Sequence, residues 1–261
     1  MARTQLTDHL TLNATKSGND STGDGSVASP FLTIQHAINV VYENYDTGGE
    51  YWVKIQVGDG TWEENLKIAY PLPGAGPGSY LRLSGNVSTP GNCLLKPASG
   101  VALEGTYGAY IEFEGFRFEA PTYGVSAYNG AVMSMTGKCD FGPCGYHVYS
   151  FLYGSVKLFV PYDISGGAVN HFIANCGSIS LKAAANLTQS NLNFSGCFIQ
   201  GDRVADINLR GASFTGQTAN VTGKRWAADG NATIRTSAGV NPDTLIPGSV
   251  NGTKTLGGEA G

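Results

Sequence analysis

The stretch YNGAVMSM, residues 128–135, carries a glycine and then alternates small, apolar and polar side chains. Nearly the same phrase returns as YGAYIEF at 107–113, YGSVKLF at 153–159 and CGSISLK at 176–182. Its glycines, Gly108, Gly130, Gly154 and Gly177, stand 22, 24 and 23 residues apart. A fixed period in this range marks a stack of repeating supersecondary units. Whole strands align on the same period. Phe118, Phe141, Ile164 and Leu187 are spaced by 23 each time, as are Phe116, Cys139, Tyr162 and Ala185. A second apolar set is Ile111, Met133, Val156 and Ile179, with Phe113, Met135, Leu158 and Leu181 two residues on. A third is Val125, Val148, Phe172 and Phe194. Each period therefore holds three short segments in which alternate residues are apolar, the pattern of strands with one buried face.

Three strands per period, stacked at a constant repeat, predict an all-β fold. The architecture is a right-handed parallel β-helix of about seven three-strand coils, whose equivalent side chains form columns inside the coil. A β-sandwich also has many short strands, but it does not place three apolar columns in one period. The coil is expected to begin at YWVKIQV, 51–57, and to fade after Phe214, giving a β-helix over 51–215. Ahead of it, SPFLTIQHAINVV at 29–41 reads as a helix with Ser29 as N-cap and Pro30 as first helical residue. Phe31, Ile34, Ala37, Ile38 and Val41 make its apolar face. Residues 1–50 thus form a lead and a helix capping the first coil, which would otherwise present an open strand edge. Residues 216–261 form a C-terminal tail that caps or trimerises.

Composition narrows the function. The 16 Lys and Arg against 20 Asp and Glu give a net charge of −4, which argues against a nucleic-acid partner, since that binding runs on cations. No run approaches the roughly 18 apolar residues of a membrane helix, and MARTQLTDHL lacks the apolar segment of a secretory signal. The odd cysteine count, five, with no CxxC pair, predicts reduced and mostly buried thiols. The N-x-S/T sequons are read as turn composition. No cofactor is expected. The histidines, His147 and His171 among them, are read as corner residues and not as metal ligands.

Two segments resemble a known family. DGSVASPFLTIQHAINVV (24–41) followed by VKIQVGDGTWEENLKI (53–68) is similar to the entry region of pectin-lyase-like β-helix proteins, with Trp62 where tyrosine is usual. The closing stretch from Lys224 to Gly261, KRWAADGNATIRTSAGVNPDTLIPGSVNGTKTLGGEAG, resembles the end of phage and prophage tail proteins that carry this fold. The resemblance implies a homotrimeric tailspike or tail-fibre component, assembled in bacterial cytoplasm into a virion tail. Its partners would be other tail proteins and bacterial surface polysaccharide, bound during host recognition.

Three groups of residues are candidates for chemistry. Arg117, Asp140, Asp163 and Asn186 stand 23 apart between inward columns, so they are expected outside, one above another. Asp140 and Asp163 would then be about one strand spacing apart, similar to the carboxyl pair of a retaining glycosidase; a ligand site or a solvated ladder are the other readings. Tyrosines crowd 107–162, where Tyr123, Tyr146 and Tyr149 offer rings and hydroxyls to a glycan, or else fill corners and a subunit interface. Glu112, Glu114 and Glu119 form an acidic patch, but the later coils supply no further carboxylates for a calcium site. The leading expectation is glycan binding through Arg117, Asp140, Asp163, Tyr123, Tyr146 and Tyr149 without catalysis. The alternatives are a polysaccharide-degrading glycoside hydrolase or lyase using Asp140 and Asp163, and a purely structural virion component.

Overall fold

In VKIQV, Val53, Ile55 and Val57 are buried while Lys54 and Gln56 are not, and this two-residue alternation is how every coil begins. In the computed structural model, which describes residues 2–261, the first face is a ladder of parallel strands running from Leu10–Ala14 through Val53–Val57, Leu81–Ser84, Tyr110–Glu114, Val132–Met135, Ser155–Leu158, Ser178–Leu181, Asp206–Asn208 and Thr233–Arg235 to Glu259–Ala260. The second face stacks Gly60–Trp62, Cys93–Leu95, Tyr162–Ile164, Ala184–Leu187 and Ser213–Gly216. The third stacks Leu66–Ile68, Leu103–Gly105, Ala168–Asn175, Asn193–Asp202, Thr222–Ala228 and Thr253–Lys254. In the two middle coils, Arg117–Tyr128 and Asp140–Phe151 run across both faces as single 12-residue strands. The chain is thus a parallel β-helix with seven complete three-strand coils, preceded by the strand Leu10–Ala14 and followed by a two-strand coil and the last strand Glu259–Ala260.

The apolar columns pair as the period requires. Phe118 pairs with Phe141, Phe141 with Ile164, and Ile164 with Leu187. The Phe118 and Phe141 rings stack at 5.4 Å. Ile111, Met133, Val156 and Ile179 form a second unbroken column. All these side chains are fully or almost fully buried. The third column departs from expectation. Phe172 pairs with Ile199, not Phe194, and the column continues to Trp226. Phe194 pairs with Ala168 instead, because a bulge puts one extra residue between Phe194 and Cys197.

Three boundaries also differ. The coil begins at Leu10, whose strand pairs with Val53–Val57. It does not fade after Phe214: Thr222–Ala228, Thr233–Arg235, Thr253–Lys254 and Glu259–Ala260 continue the ladders, so the tail winds onto its own coil. Residues 236–252, including the short helix Pro242–Leu245, interrupt the period there. This excursion is pinned by Asp243, whose Oδ1 accepts from Trp226 Nε1 (2.8 Å) and the Gly252 amide (2.7 Å). A Cβ on Gly252 would collide with the Trp226 ring, so only glycine fits that approach. The N-terminal helix is Ile34–Asn44, with Thr33 as N-cap; Ser29 and Pro30 lie outside it. Phe31 is held extended by backbone bonds to Asn13 and Thr15, which prevents an earlier start. Asp20 takes the Leu32 and Thr33 amides and the Thr33 hydroxyl, and Glu64 takes the Ile34 and Gln35 amides. The amides that a helix start leaves unbonded are thus met by carboxylates. The buried face is Ile34, Ala37, Ile38 and Val41, lying over the end of the first coils.

Candidate functional site

The polar column is in register: Arg117 pairs with Asp140, Asp140 with Asp163, and Asp163 with Asn186. It is less solvated than expected. Asp140 is only 8% exposed. Its Oδ2 accepts from Ser165 Oγ at 2.8 Å and faces Arg117 Nη1 at 3.4 Å, while Oδ1 has no partner. Burial pushes the Asp140 carboxyl above the ordinary aspartate value, against the opposing pull of Ser165 and Arg117. Asp163 is engaged differently, by Lys138 Nζ at 2.7 Å and Asn186 Nδ2 at 3.0 Å. Each carboxylate therefore already has its own donors. The column is a zipped set of charges on the second face.

The three glutamates do not converge. Arg82 holds Glu112, Ser84 and Thr136 donate to Glu114, and Lys96 and Arg117 hold Glu119 at 2.8 Å each. Burial acts to raise the Glu119 carboxyl, but the two cations outweigh it and hold it below its usual range. Among the described residues no group of three or more His, Cys, Asp or Glu side chains is arranged to hold a metal ion.

Where the second face turns into the third, an open groove of about 650 Å³ runs along the coil axis. That volume is in the range of small-molecule sites. Pro97, Pro121 and Pro143 floor it on successive coils, with Ala98, Ala120 and Cys144 between them. Their spacing of 24 and 22 residues is a trace of the period that the apolar pattern hides. Burial drives the Cys144 thiol up to about 12, so this sulfur is not a nucleophile. Glu63, Lys96 and Glu119 supply the polar wall. Asp140 and Asp163 do not line the groove, but Arg117 links Glu119 to Asp140.

The tyrosine cluster lies just past the opposite rim, on the same two long strands. Tyr123 stacks on Tyr149 at 4.6 Å and 12°, and meets Tyr146 at 5.3 Å. Tyr128 meets Tyr149 edge-on at 5.4 Å, and Phe151 extends the stack at 5.9 Å. All five rings are half-buried. Burial raises the Tyr123 and Tyr128 hydroxyls and brings Tyr149 up to about 12, so they act as neutral hydrogen-bonding groups. Phe151 was not foreseen, although it stands one period after Tyr128. Nor was a second aromatic ladder at the start of the first face, where His9, Trp52, Tyr80 and Tyr110 succeed one another at 4.2, 6.4 and 6.0 Å.

His147 and His171 are not corner residues. Both are fully buried inside the coil, with their Nδ1 atoms 2.9 Å apart. His147 Nε2 lies 3.0 Å from the Gly142 carbonyl, and His171 Nε2 lies 2.7 Å from the Tyr162 hydroxyl. A carbonyl only accepts, so His147 donates from Nε2 and accepts at Nδ1. His171 then donates from Nδ1 and accepts the Tyr162 proton at Nε2. Two neutral imidazoles and one phenol thereby satisfy one another in a core of Phe141, Phe172, Phe194 and Phe198. All five cysteines are free thiols. No helix among the described residues is long and apolar enough to cross a membrane. No family model, curated protein or solved structure matches the chain.

Proposed function

We propose that this chain is a tail component of the phage or prophage type that binds bacterial surface glycan in the axial groove, without cleaving it. One observation carries the reading. An apolar floor of prolines lies beside an ion-paired wall, Lys96–Glu119–Arg117, and the stacked Tyr123 and Tyr149 rings follow beyond it on the same two long strands that carry Pro121 and Pro143. Pyrrolidine and phenol rings suit the apolar faces of a sugar, and the charged wall and hydroxyls suit its polar edges. The tail setting, the trimer and the virion location come from the terminal resemblance alone.

The rival reading, a hydrolase or lyase acting through Asp140 and Asp163, gains nothing from the geometry. Both carboxylates are engaged by neighbouring donors, and neither lines the groove. Titration calorimetry against bacterial surface polysaccharides tests the proposal. Tyr149→Ala and Lys96→Ala should each weaken binding at least about tenfold, about 1.4 kcal/mol, with the fold intact. Unchanged affinity in both variants would refute the groove. Release of new reducing or unsaturated ends, lost in Asp140→Asn, would replace binding by catalysis.

A further inference from the structure

The chain holds two Asn-Gly junctions, Asn129–Gly130 and Asn251–Gly252. At such a junction the glycine nitrogen can attack the asparagine side-chain carbonyl and close a cyclic imide, because the two groups are already tethered and no Cβ blocks the approach. The surroundings of the two differ. Asn129–Gly130 sits on an exposed turn, where the Gly130 amide donates to the Leu152 carbonyl at 3.1 Å. The Asn129 side-chain amide reaches only the Thr106 hydroxyl, at 3.5 Å.

At Asn251–Gly252, which ends the 236–252 excursion, each reacting group meets a charge of the useful sign. Asn251 Oδ1 accepts from Arg225 Nη1 at 3.2 Å, and the Gly252 amide donates to Asp243 Oδ1 at 2.7 Å. Among the described residues Arg225 has no carboxylate partner, so its charge is left for the Asn251 carbonyl. Trp226 Nε1 anchors the same Asp243 oxygen at 2.8 Å, and the Trp226 ring demands glycine at 252. Packing thus fixes the base against the amide and keeps that amide unshielded. Arg225 and Asp243 also line a hollow of about 230 Å³ with Thr218 and Thr244. Asn251 itself is exposed, so water has access to the junction.

We propose that Asn251 is a self-modification site, at which the folded chain converts its own asparagine to aspartate or isoaspartate. Asp243 takes the Gly252 amide proton as the Gly252 nitrogen bonds to Asn251 Cγ. The electron pair of the Cγ–Oδ1 double bond moves onto Oδ1, opposite the Arg225 guanidinium. The carbonyl then re-forms, the Cγ–Nδ2 bond breaks, and the proton passes from Asp243 to the leaving nitrogen, which departs as ammonia. Water opens the imide at Cγ to give aspartate, or at the main-chain carbonyl to give isoaspartate. Aspartate at this position supplies the carboxylate that Arg225 lacks. The site lies apart from the groove and does not depend on what the groove binds.

Peptide mapping by mass spectrometry tests this on the full chain, incubated at neutral pH either folded or in urea. It reads loss of ammonia, gain of water and isoaspartate at both junctions. In the folded chain Asn251 should convert at least about tenfold faster than Asn129, and faster than Asn251 itself in urea. Arg225→Gln and Asp243→Asn should each slow Asn251 at least about tenfold and leave Asn129 unchanged. Wild type isolated already converted, beside unconverted variants, is the same result. Equal rates at the two folded junctions, faster conversion of Asn251 in urea, or unchanged conversion in Arg225→Gln overturns the proposal. Arg225→Gln decides the matter even if Asp243→Asn loosens the excursion, since the main-chain bond from the residue 225 amide to the Val250 carbonyl remains.

Discussion

Acid should unfold this protein through two buried histidines. Burial depresses the folded-state pKa of His147 to about 3, and burial together with His147 holds His171 well below its ordinary value. In the unfolded chain both take up a proton near 6.5. A base whose folded pKa is depressed binds its proton first in the unfolded chain. Stability is therefore complete above about 6.5 and falls as the pH drops toward the folded pKa. His147 contributes about 1.4 kcal/mol per pH unit below the unfolded value. Over two units, from about 6.5 to about 4.5, it alone removes about 2–3 kcal/mol of a typical 5–15 kcal/mol stability, and His171 acts in the same direction. Carboxylates interfere little in this window. Glu119 is held low and loses its contribution only further down, and Asp140, whose carboxyl is raised by burial, shifts stability in the opposite direction. The assay is urea unfolding followed by circular dichroism at several pH values. The control is His147→Leu, His171→Leu and Tyr162→Phe combined. It removes the whole relay and leaves only the Gly142 carbonyl unpartnered, at about 1–3 kcal/mol, and its stability should be nearly flat across the window. A triple variant that loses as much stability on acidification as the wild type would refute the reasoning.

Two further outcomes separate the parts of the fold. At neutral pH, Asp140→Asn should raise the unfolding midpoint slightly, because it removes a buried charge with one unpartnered oxygen. Asp163→Asn should lower the midpoint, with a loss of stability of up to about 1 kcal/mol, because it strands Lys138. Asp20→Ala should cost the helix start about 2–3 kcal/mol and Thr33→Ala about 1, in proportion to the bonds each supplies; equal losses would mean that the long-range acceptor adds nothing to the cap. Thermal melts of the four variants measure both comparisons.

The columns were legible because a parallel coil repeats its inward residues at nearly constant separation: Phe118, Phe141, Ile164 and Leu187 could be aligned by counting. What escaped counting was whatever breaks the step. The bulge before Cys197 displaced Phe194 from its expected neighbour. The excursion at 236–252 hid the last coil, and the helix separated Leu10–Ala14 from its partner strand. The helix start was misplaced because a bridge from Phe31 to Ala14, remote in sequence, overrides the local preference of Ser29 and Pro30. Of the site, the Arg117–Asp140–Asp163 register and the Tyr123–Tyr146 contact were readable. The groove was not, since prolines and alanines carry no chemical signature until the coil stacks them. The imidazole pair was misjudged because polar rings are ordinarily placed outside, and only their mutual bonding lets them sit within.

The two strands that pass from the second face to the third without a loop have a further consequence. Pro121 and Pro143 of the floor and the tyrosines beyond them are parts of the same two hydrogen-bonded strands, so neither can swing relative to the other. A glycan bound there as proposed would meet a surface already in its bound shape, and docking would cost the protein little freedom. Such a surface diversifies differently from one built on loops. Insertions and deletions would break the ladder, so a change of ligand must come by exchanging single outward side chains on a fixed grid.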